Sequence, residues 1–228
     1  MKRFYKDVAV SPDNTILLDG KPIKTPARHL LQLPTRALAD AVADEWRAQK
    51  TEIDSDAMPL TKFANTAIDR VEAMRGEVID QILAFGGSDL LCYRADFPPQ
   101  LAERQNTEWQ PLLDWAASRF GLTLNLATGI VHVLQPPEAL AGARAYLESQ
   151  SNFALAVAHA MSGILGSLVL TLAVRDGYLD EAQAFALSRL DEEFQAEQWG
   201  RDAEAEVRVA NYASELGAAA LFLRLSNP

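Results

Sequence analysis

The stretch TILLDGKPIKTP, residues 15–26, decides the fold of the N-terminal part of the chain. An Asp-Gly pair directly after an apolar run is a strong signal for a tight turn between two antiparallel strands. The preceding stretch FYKDVAV, at 4–10, alternates in polarity, and the following HLLQLP, at 29–34, is a short extended run closed by proline. Together these segments predict a small antiparallel sheet.

A helical pattern begins immediately after this sheet. Thr35 is placed to cap a helix, because its hydroxyl can accept a hydrogen bond from a backbone N–H of the first turn. Leu38, Val42 and Trp46 then recur every four residues. This spacing predicts one buried stripe, with Trp46 packed in the core.

From about residue 62 onward the apolar residues keep a helical spacing, and the strand signals become few. The predicted fold class is therefore α+β, with a small β-rich N-terminal domain followed by a larger, mainly helical C-terminal domain. The predicted domains are residues 1–66, which include one helix, and residues 67–228.

One apolar segment, residues 153–174, is long enough to cross a bilayer. Much of its apolarity comes from alanine, His159 lies inside it, and no basic or aromatic girdle flanks it. A buried helix, or two helices joined near residues 162–163, is the favoured interpretation, and no membrane insertion is expected.

Composition limits the possible partners and compartments. The chain has 228 residues, a net charge of -10 and a single cysteine. Such acidity repels phosphate backbones, so a nucleic-acid partner is not expected. The lone Cys92 allows no internal disulfide, and the first residues lack a signal-peptide pattern, which favours the bacterial cytoplasm. No heptad pattern demands a dimer, so we expect a monomer.

Motifs for common enzyme classes are missing from the sequence. It contains no phosphate-binding glycine loop, no HExxH and no GxSxG. His29, His132 and His159 are interpreted as ordinary core or surface histidines, and Cys92 as a buried structural thiol. The sequence therefore predicts no catalytic residue, no metal and no cofactor.

The stretch DEEFQAEQWGRDAEAE, residues 191–206, carries seven carboxylates and a tryptophan. On one continuous helix over 181–198, Leu187, Leu190 and Phe194 share the buried face. Glu192, Gln195 and Trp199 then face outward.

Three interpretations of this stretch remain open. It could be a solvated helix face, or a protein-binding face in which charge surrounds an aromatic anchor. It could also belong to a carboxylate-based metal-dependent hydrolase that uses Glu193, Glu197 and Asp202. The helical phase does not favour the third interpretation, since a metal site needs inward carboxylates.

Several blocks of the sequence together resemble the ATP synthase F1 alpha-subunit assembly chaperone family. DEEFQAEQWG, at 191–200, resembles the C-terminal signature of that family. The other blocks follow in family order and are RFYK at 3–6, LDGKPIKTP at 18–26, EWRAQ at 45–49, MPLTKFANTAID at 58–69, SDLLCYRAD at 88–96, ERQNTEWQPLLDWA at 103–116 and GILGSLVLTLA at 163–173. The number and order of the blocks, more than any single motif, make the resemblance specific.

The resemblance implies a non-enzymatic function. A member of this family binds the free alpha subunit of F1 ATP synthase transiently and shields its subunit interface until the beta subunit displaces the chaperone. The resemblance assigns partner binding to five residues, which are Glu192, Glu193, Gln195, Trp199 and Asp202. The helical phase best supports Glu192, Gln195 and Trp199.

Overall fold

The computed structural model describes residues 1–129 and 131–227. A small strand region precedes a mostly helical remainder, so the predicted α+β class is confirmed. The strands are β1 (Val8–Val10), β2 (Ile16–Leu18), β3 (Lys21–Pro22), β4 (Tyr93–Arg94) and β5 (Ala127–Thr128). The helices are α1 (Arg36–Ala48), α2 (Pro59–Thr66), α3 (Arg75–Gly87), α4 (Pro99–Phe120), α5 (Ala141–Glu148), α6 (Asn152–Leu165), α7 (Leu168–Asp176), α8 (Glu181–Ser188), α9 (Leu190–Trp199) and α10 (Ala203–Ser226).

The N-terminal sheet is the predicted hairpin. Strands β1, β2 and β3 pair antiparallel in that order, with Val10 opposite Ile16. Asp19 and Gly20 form the turn between β2 and β3 with φ angles of 48° and 76°. Two consecutive positive φ angles are what a two-residue hairpin turn of type I′ requires. Ile16 and Leu18 bury their side chains on one face of the sheet.

Helix α1 begins as the sequence predicts. The Thr35 side chain accepts a hydrogen bond from the Leu38 backbone N–H at 3.1 Å. Leu38 and Val42 are fully buried. Trp46 is only half-buried, which corrects the prediction that it lies in the core. It sits near the end of α1, where the Tyr5 ring meets it edge-on at 5.7 Å.

A carboxylate on α1 caps the next helix. Helix α2 has Pro59 at its first position and no side-chain cap of its own. Glu45 supplies the missing acceptor, because its two oxygens accept from the Leu60 N–H at 2.7 Å and the Thr61 N–H at 2.8 Å. Burial raises the pKa of Glu45, although these bonds and the Thr61 hydroxyl act against the rise. Glu45 therefore fixes where α2 begins.

The chain divides into two compact units. The first comprises Met1–Val78, Ser151–Val157 and the C-terminal residues that begin at Ala218. The second comprises Ile79–Gln150 and Ala158–Gly217. The sequence boundary predicted between residues 66 and 67 lies inside the first unit.

The long apolar segment forms two helices, α6 and α7, which meet at Gly166 and Ser167. Ser167 caps α7 by accepting from the Leu170 N–H at 3.0 Å. The break thus comes a few residues after the predicted junction at 162–163. Within residues 1–129 and 131–227, no helix combines the length and apolarity needed to cross a bilayer.

A buried aspartate organises this region of the second unit. Asp89 is 0% exposed and accepts hydrogen bonds from the Ser167 hydroxyl at 2.7 Å, the Val169 N–H at 3.0 Å and the Leu91 N–H at 3.0 Å. Burial raises the pKa of Asp89 to about 6, and these hydrogen bonds limit the rise. The carboxylate therefore joins the turn before β4 to the start of α7.

Candidate functional site

The acidic stretch does not lie on one helix. Helix α8 ends at Ser188 and α9 begins at Leu190, so the continuous helix assumed over 181–198 is interrupted at Arg189. The Trp109 indole N–H donates to the Leu187 carbonyl at 3.0 Å, and the Arg189 N–H reaches only three residues back, to the Ala186 carbonyl. Because α4 takes up a carbonyl of the last α8 turn, the helix can end there.

The interruption at Arg189 alters the burial predicted for the apolar residues, but not the exposure predicted for the outward-facing residues. Leu190 is buried, but Leu187 and Phe194 are only half-buried. Two of the three residues predicted to share a buried face are therefore only partly buried. Glu192, Gln195 and Trp199 face outward as predicted, and Trp199 is 82% exposed.

A sharp turn connects α9 to α10. Gly200 has a φ of 88°, a conformation that other residues adopt only at a cost, and it ends α9. Asp202 begins α10, because its Oδ2 accepts from the Ala205 backbone N–H at 3.0 Å. The side chain of this predicted partner-binding residue thus also serves as a helix cap.

Three further carboxylates of the stretch pair with three different arginines. Glu192 pairs with Arg189 at 3.0 Å, and Glu193 pairs with Arg201 at 2.6 Å. Glu197 pairs with Arg104 of α4 at 2.9 Å.

This pairing bears on the hydrolase interpretation. Glu193, Glu197 and Asp202 contact an arginine of the α9–α10 turn, an arginine of α4 and a backbone amide, respectively. Within residues 1–129 and 131–227, no three His, Cys, Asp or Glu side chains are grouped closely enough to hold one metal ion. The arrangement therefore gives the metal-dependent hydrolase no support.

The fold brings all five predicted partner-binding residues to one cavity. It is an open surface cavity of about 470 Å³ between α9 and the start of α10. Its lining includes Glu192, Glu193, Gln195, Trp199 and Asp202. A second cavity of about 440 Å³ lies between α8 and α10 and shares Arg189, Glu193 and Val209 with the first. We refer to these two adjacent cavities together as the α8–α10 groove.

Sequence reasoning missed the other residues of this groove, among them two arginines and several apolar residues of α10. Arg189 and Arg201 form its ion pairs, and Val209 and Ala213 contribute apolar surface from α10. The alternation of alanine with charged and small polar residues in α10 leaves no clear apolar stripe. The aromatic and acidic pattern of α9 was the stronger signal, and it marks only one wall.

The first half of α10, which forms one wall of the groove, is largely exposed to solvent. Between residues 203 and 215, every residue except Ala205 and Val209 is exposed. The exposed side chains include Val207 and Tyr212, at 62% and 47%. A helix with so little buried surface gains little stability from packing, so this half of α10 is suited to being covered by another molecule.

The isolated candidates for catalysis are structural. The Cys92 thiol is buried, and burial together with nearby Asp89 raises its pKa to about 12. Each histidine has a polar partner, namely Asp69 for His29, Tyr93 for His132 and Gln81 for His159. A thiol held protonated and three separated histidines do not form a nucleophile and base pair.

Comparisons with known proteins agree with the fold. The family model described as ATP12 chaperone protein matches residues 2–117. The chain is 27% identical over 214 residues to the mitochondrial protein atp12 of Schizosaccharomyces pombe, covering 87% of this chain and 74% of that protein.

Solved structures cover nearly the whole chain. The crystal structure of Atp12 from Paracoccus denitrificans superposes with a TM-score of 0.91 and 41% identity over 99% of this chain and 98% of that one. A D202K mutant of P. denitrificans Atp12p superposes with a TM-score of 0.93, at the same identity and coverage.

Proposed function

Since this chain belongs to the ATP12 chaperone family, we propose that it is an assembly chaperone of ATP synthase that transiently binds the free alpha subunit of F1. The chaperone covers the subunit interface of the alpha subunit, and the beta subunit later displaces it. Binding requires no catalysis and no cofactor.

The physical need for such a protein is clear. An unassembled subunit exposes an apolar interface that would otherwise aggregate or self-associate. A chaperone for this surface must release its client, so the contact should be of modest area and partly polar. An acidic protein with a few exposed aromatic side chains meets this requirement.

The observation that carries the proposal is the exposure of Trp199 at the rim of the α8–α10 groove. An indole that is 82% exposed contributes little to folding, and tryptophan is the residue most enriched at the energetic centres of interfaces. The carboxylates around it, including Glu192, would attract basic groups of the client and mainly increase the association rate.

The test is a pull-down with the immobilised chain and the recombinant F1 alpha subunit of the same organism, followed by addition of the beta subunit. Capture and subsequent release are expected. Failure to capture the folded alpha subunit would contradict the proposal, and capture without release would contradict the displacement by the beta subunit.

Two variants with matched controls assign the site. Trp199→Ala should weaken capture about tenfold or more, whereas Phe97→Ala, which removes another aromatic ring that is 77% exposed, should not. Glu192→Lys should also weaken capture, whereas Glu148→Lys should not, although Glu148 likewise pairs with an arginine about one helical turn before it in the sequence. The melting temperature of all four variants should stay near the wild-type value. A loss of melting temperature that parallels the loss of capture would argue against a surface role.

A further inference from the structure

The ion pairs of the α8–α10 groove suggest how the client is bound. Arg201 lies in the turn between α9 and α10 and pairs with a carboxylate on each helix. Its guanidinium is 2.6 Å from Glu193 of α9 and 3.9 Å from Glu206 of α10. A single internal cation therefore bridges the two walls.

This bridge is weakly held. The side chains of Arg201, Glu193 and Glu206 are 56%, 36% and 56% exposed. Ion pairs exposed to this degree contribute little to folding, because water and salt screen them and ordering the side chains costs entropy. The arginine can leave the two carboxylates at small cost if another cation takes its place.

The groove beyond the bridge favours an apolar helix as its occupant. Its surface includes Phe185, Ala186, Val209, Ala213 and Leu216, and alanine on each wall allows another backbone to approach closely. Binding of an amphipathic helix in an apolar groove between helices is a recurrent mode of recognition.

The charge of the groove requires a basic occupant. Apart from Glu181, four carboxylates and two arginines line the two cavities, so the lining carries more negative than positive groups. An occupant with a lysine or arginine near Glu193 and Glu206 would match this surface, and an acidic occupant would be repelled.

We propose that the α8–α10 groove binds an amphipathic helix of the client, and that a basic side chain of this helix replaces Arg201 between Glu193 and Glu206. This inference rests on the proposed function, since it takes the client to be the F1 alpha subunit. Arg201 then occupies the place of the client's basic side chain when no client is bound. Because Arg201 competes for the two carboxylates, it lowers the affinity of the chaperone for the client and favours release.

The distinguishing experiment measures the dissociation constant of the recombinant F1 alpha subunit for the wild-type chain and for Arg201→Gln. If Arg201 competes with the client, the variant should bind about threefold or more tightly. An unchanged or weaker affinity would overturn the competition, since a supporting role for Arg201 predicts a loss.

A second pair of variants tests the groove itself. Ala213→Trp places a large ring in the groove and should weaken binding about tenfold or more, whereas Ser214→Trp, at the next exposed position outside the lining, should bind like the wild type. Both positions are exposed on α10, so both variants should fold, and circular dichroism checks this. Equal affinities of the two variants would overturn the groove as the binding site.

The outcomes separate the two proposals. If the wild-type chain binds no alpha subunit, the proposed function fails and this inference fails with it. If the wild-type chain binds but Arg201→Gln does not gain affinity, or Ala213→Trp does not lose it, the present inference alone is wrong.

Discussion

Replacing Asp89 by asparagine should change the pH dependence of stability in a defined direction. The folded-state pKa of Asp89 is raised from 3.8 to about 6, chiefly because the carboxyl group is completely buried. The folded chain therefore holds a proton that the unfolded chain has already lost, and stability falls as pH rises through this interval. At pH values above the folded-state pKa, the whole pKa difference corresponds to a loss of about 3 kcal/mol in the free energy of unfolding.

Part of this loss of stability occurs in a pH range in which it can be measured. Raising the pH from about 5 to about 7.5 should lower the free energy of unfolding by about 1 kcal/mol through Asp89 alone. Asparagine cannot ionise and does not contribute this slope. It also loses an acceptor, because its amide N–H₂ would meet the Val169 or Leu91 N–H, so the variant should be less stable than the wild type by about 1–3 kcal/mol at the lower pH.

The measurement is urea denaturation of the wild type and Asp89→Asn, followed by circular dichroism at both pH values. The stability deficit of the variant should shrink by about 1 kcal/mol at the higher pH. Asp56→Asn is the control, since a hydrogen bond and the charge of Lys62 hold the pKa of the exposed Asp56 below its usual value and thus below this pH range. A deficit of Asp89→Asn that stays constant or grows with pH would refute the reasoning.

Three other substitutions test the packing described above. Glu45→Ala should lower the free energy of unfolding by about 2 kcal/mol in urea denaturation, because the first turn of α2 loses its cap, and Glu45→Gln, which keeps one acceptor oxygen, should lose less. Gly142→Ala should lower the melting temperature markedly, because the added Cβ would lie 1.8 Å from the Phe120 carbonyl oxygen; Gly163→Ala, with no atom within 4 Å, should leave it unchanged or raise it. Trp109→Phe should cost about 2 kcal/mol or more in urea denaturation, because the buried indole N–H no longer caps the Leu187 carbonyl; an unchanged midpoint would show that α8 ends there for another reason.

Local signals account for the parts of the fold that the sequence could predict. The hairpin follows from the pair Asp19-Gly20, because this dipeptide favours the two positive φ angles of the turn. The start of α1 follows from Thr35, whose hydroxyl acts three residues away. These features need no knowledge of distant parts of the chain.

Contacts between distant residues could not be predicted in the same way. Nothing in the sequence indicates that Glu45 and Asp89 each bind backbone N–H groups of a later segment. The break at Arg189 depends on an indole 78 residues away from the carbonyl it binds. One-dimensional periodicity contains no information about such partners.

These contacts also explain several of the sequence blocks that carried the family resemblance. Glu45 joins EWRAQ to MPLTKFANTAID, and Asp89 joins SDLLCYRAD to GILGSLVLTLA. Gln105, in the block ERQNTEWQPLLDWA, donates to Asp191 of the acidic stretch at 2.7 Å. Much of the recognisable sequence pattern thus maintains the fold, and a smaller part is free for a partner.

The candidate site was predicted for one wall only. Glu192, Gln195 and Trp199 are neighbours on α9, so helical phase was enough to place them outward despite the break. Val209 of the opposite wall is on α10, and the exposed half of this helix has no clear separation of apolar and polar residues in its sequence. Its role depends on the groove, which only the folded chain defines.

The exposed first half of α10 and the exposed Trp199 affect the solubility of the chaperone when no client is bound. Such surfaces can adhere to one another, and the barrier against this is mutual repulsion between chains with a net charge of -10. This barrier disappears near the isoelectric point of about 4.8. The free protein should therefore lose colloidal stability in mild acid, and the client, by covering the groove, should in turn keep the chaperone soluble.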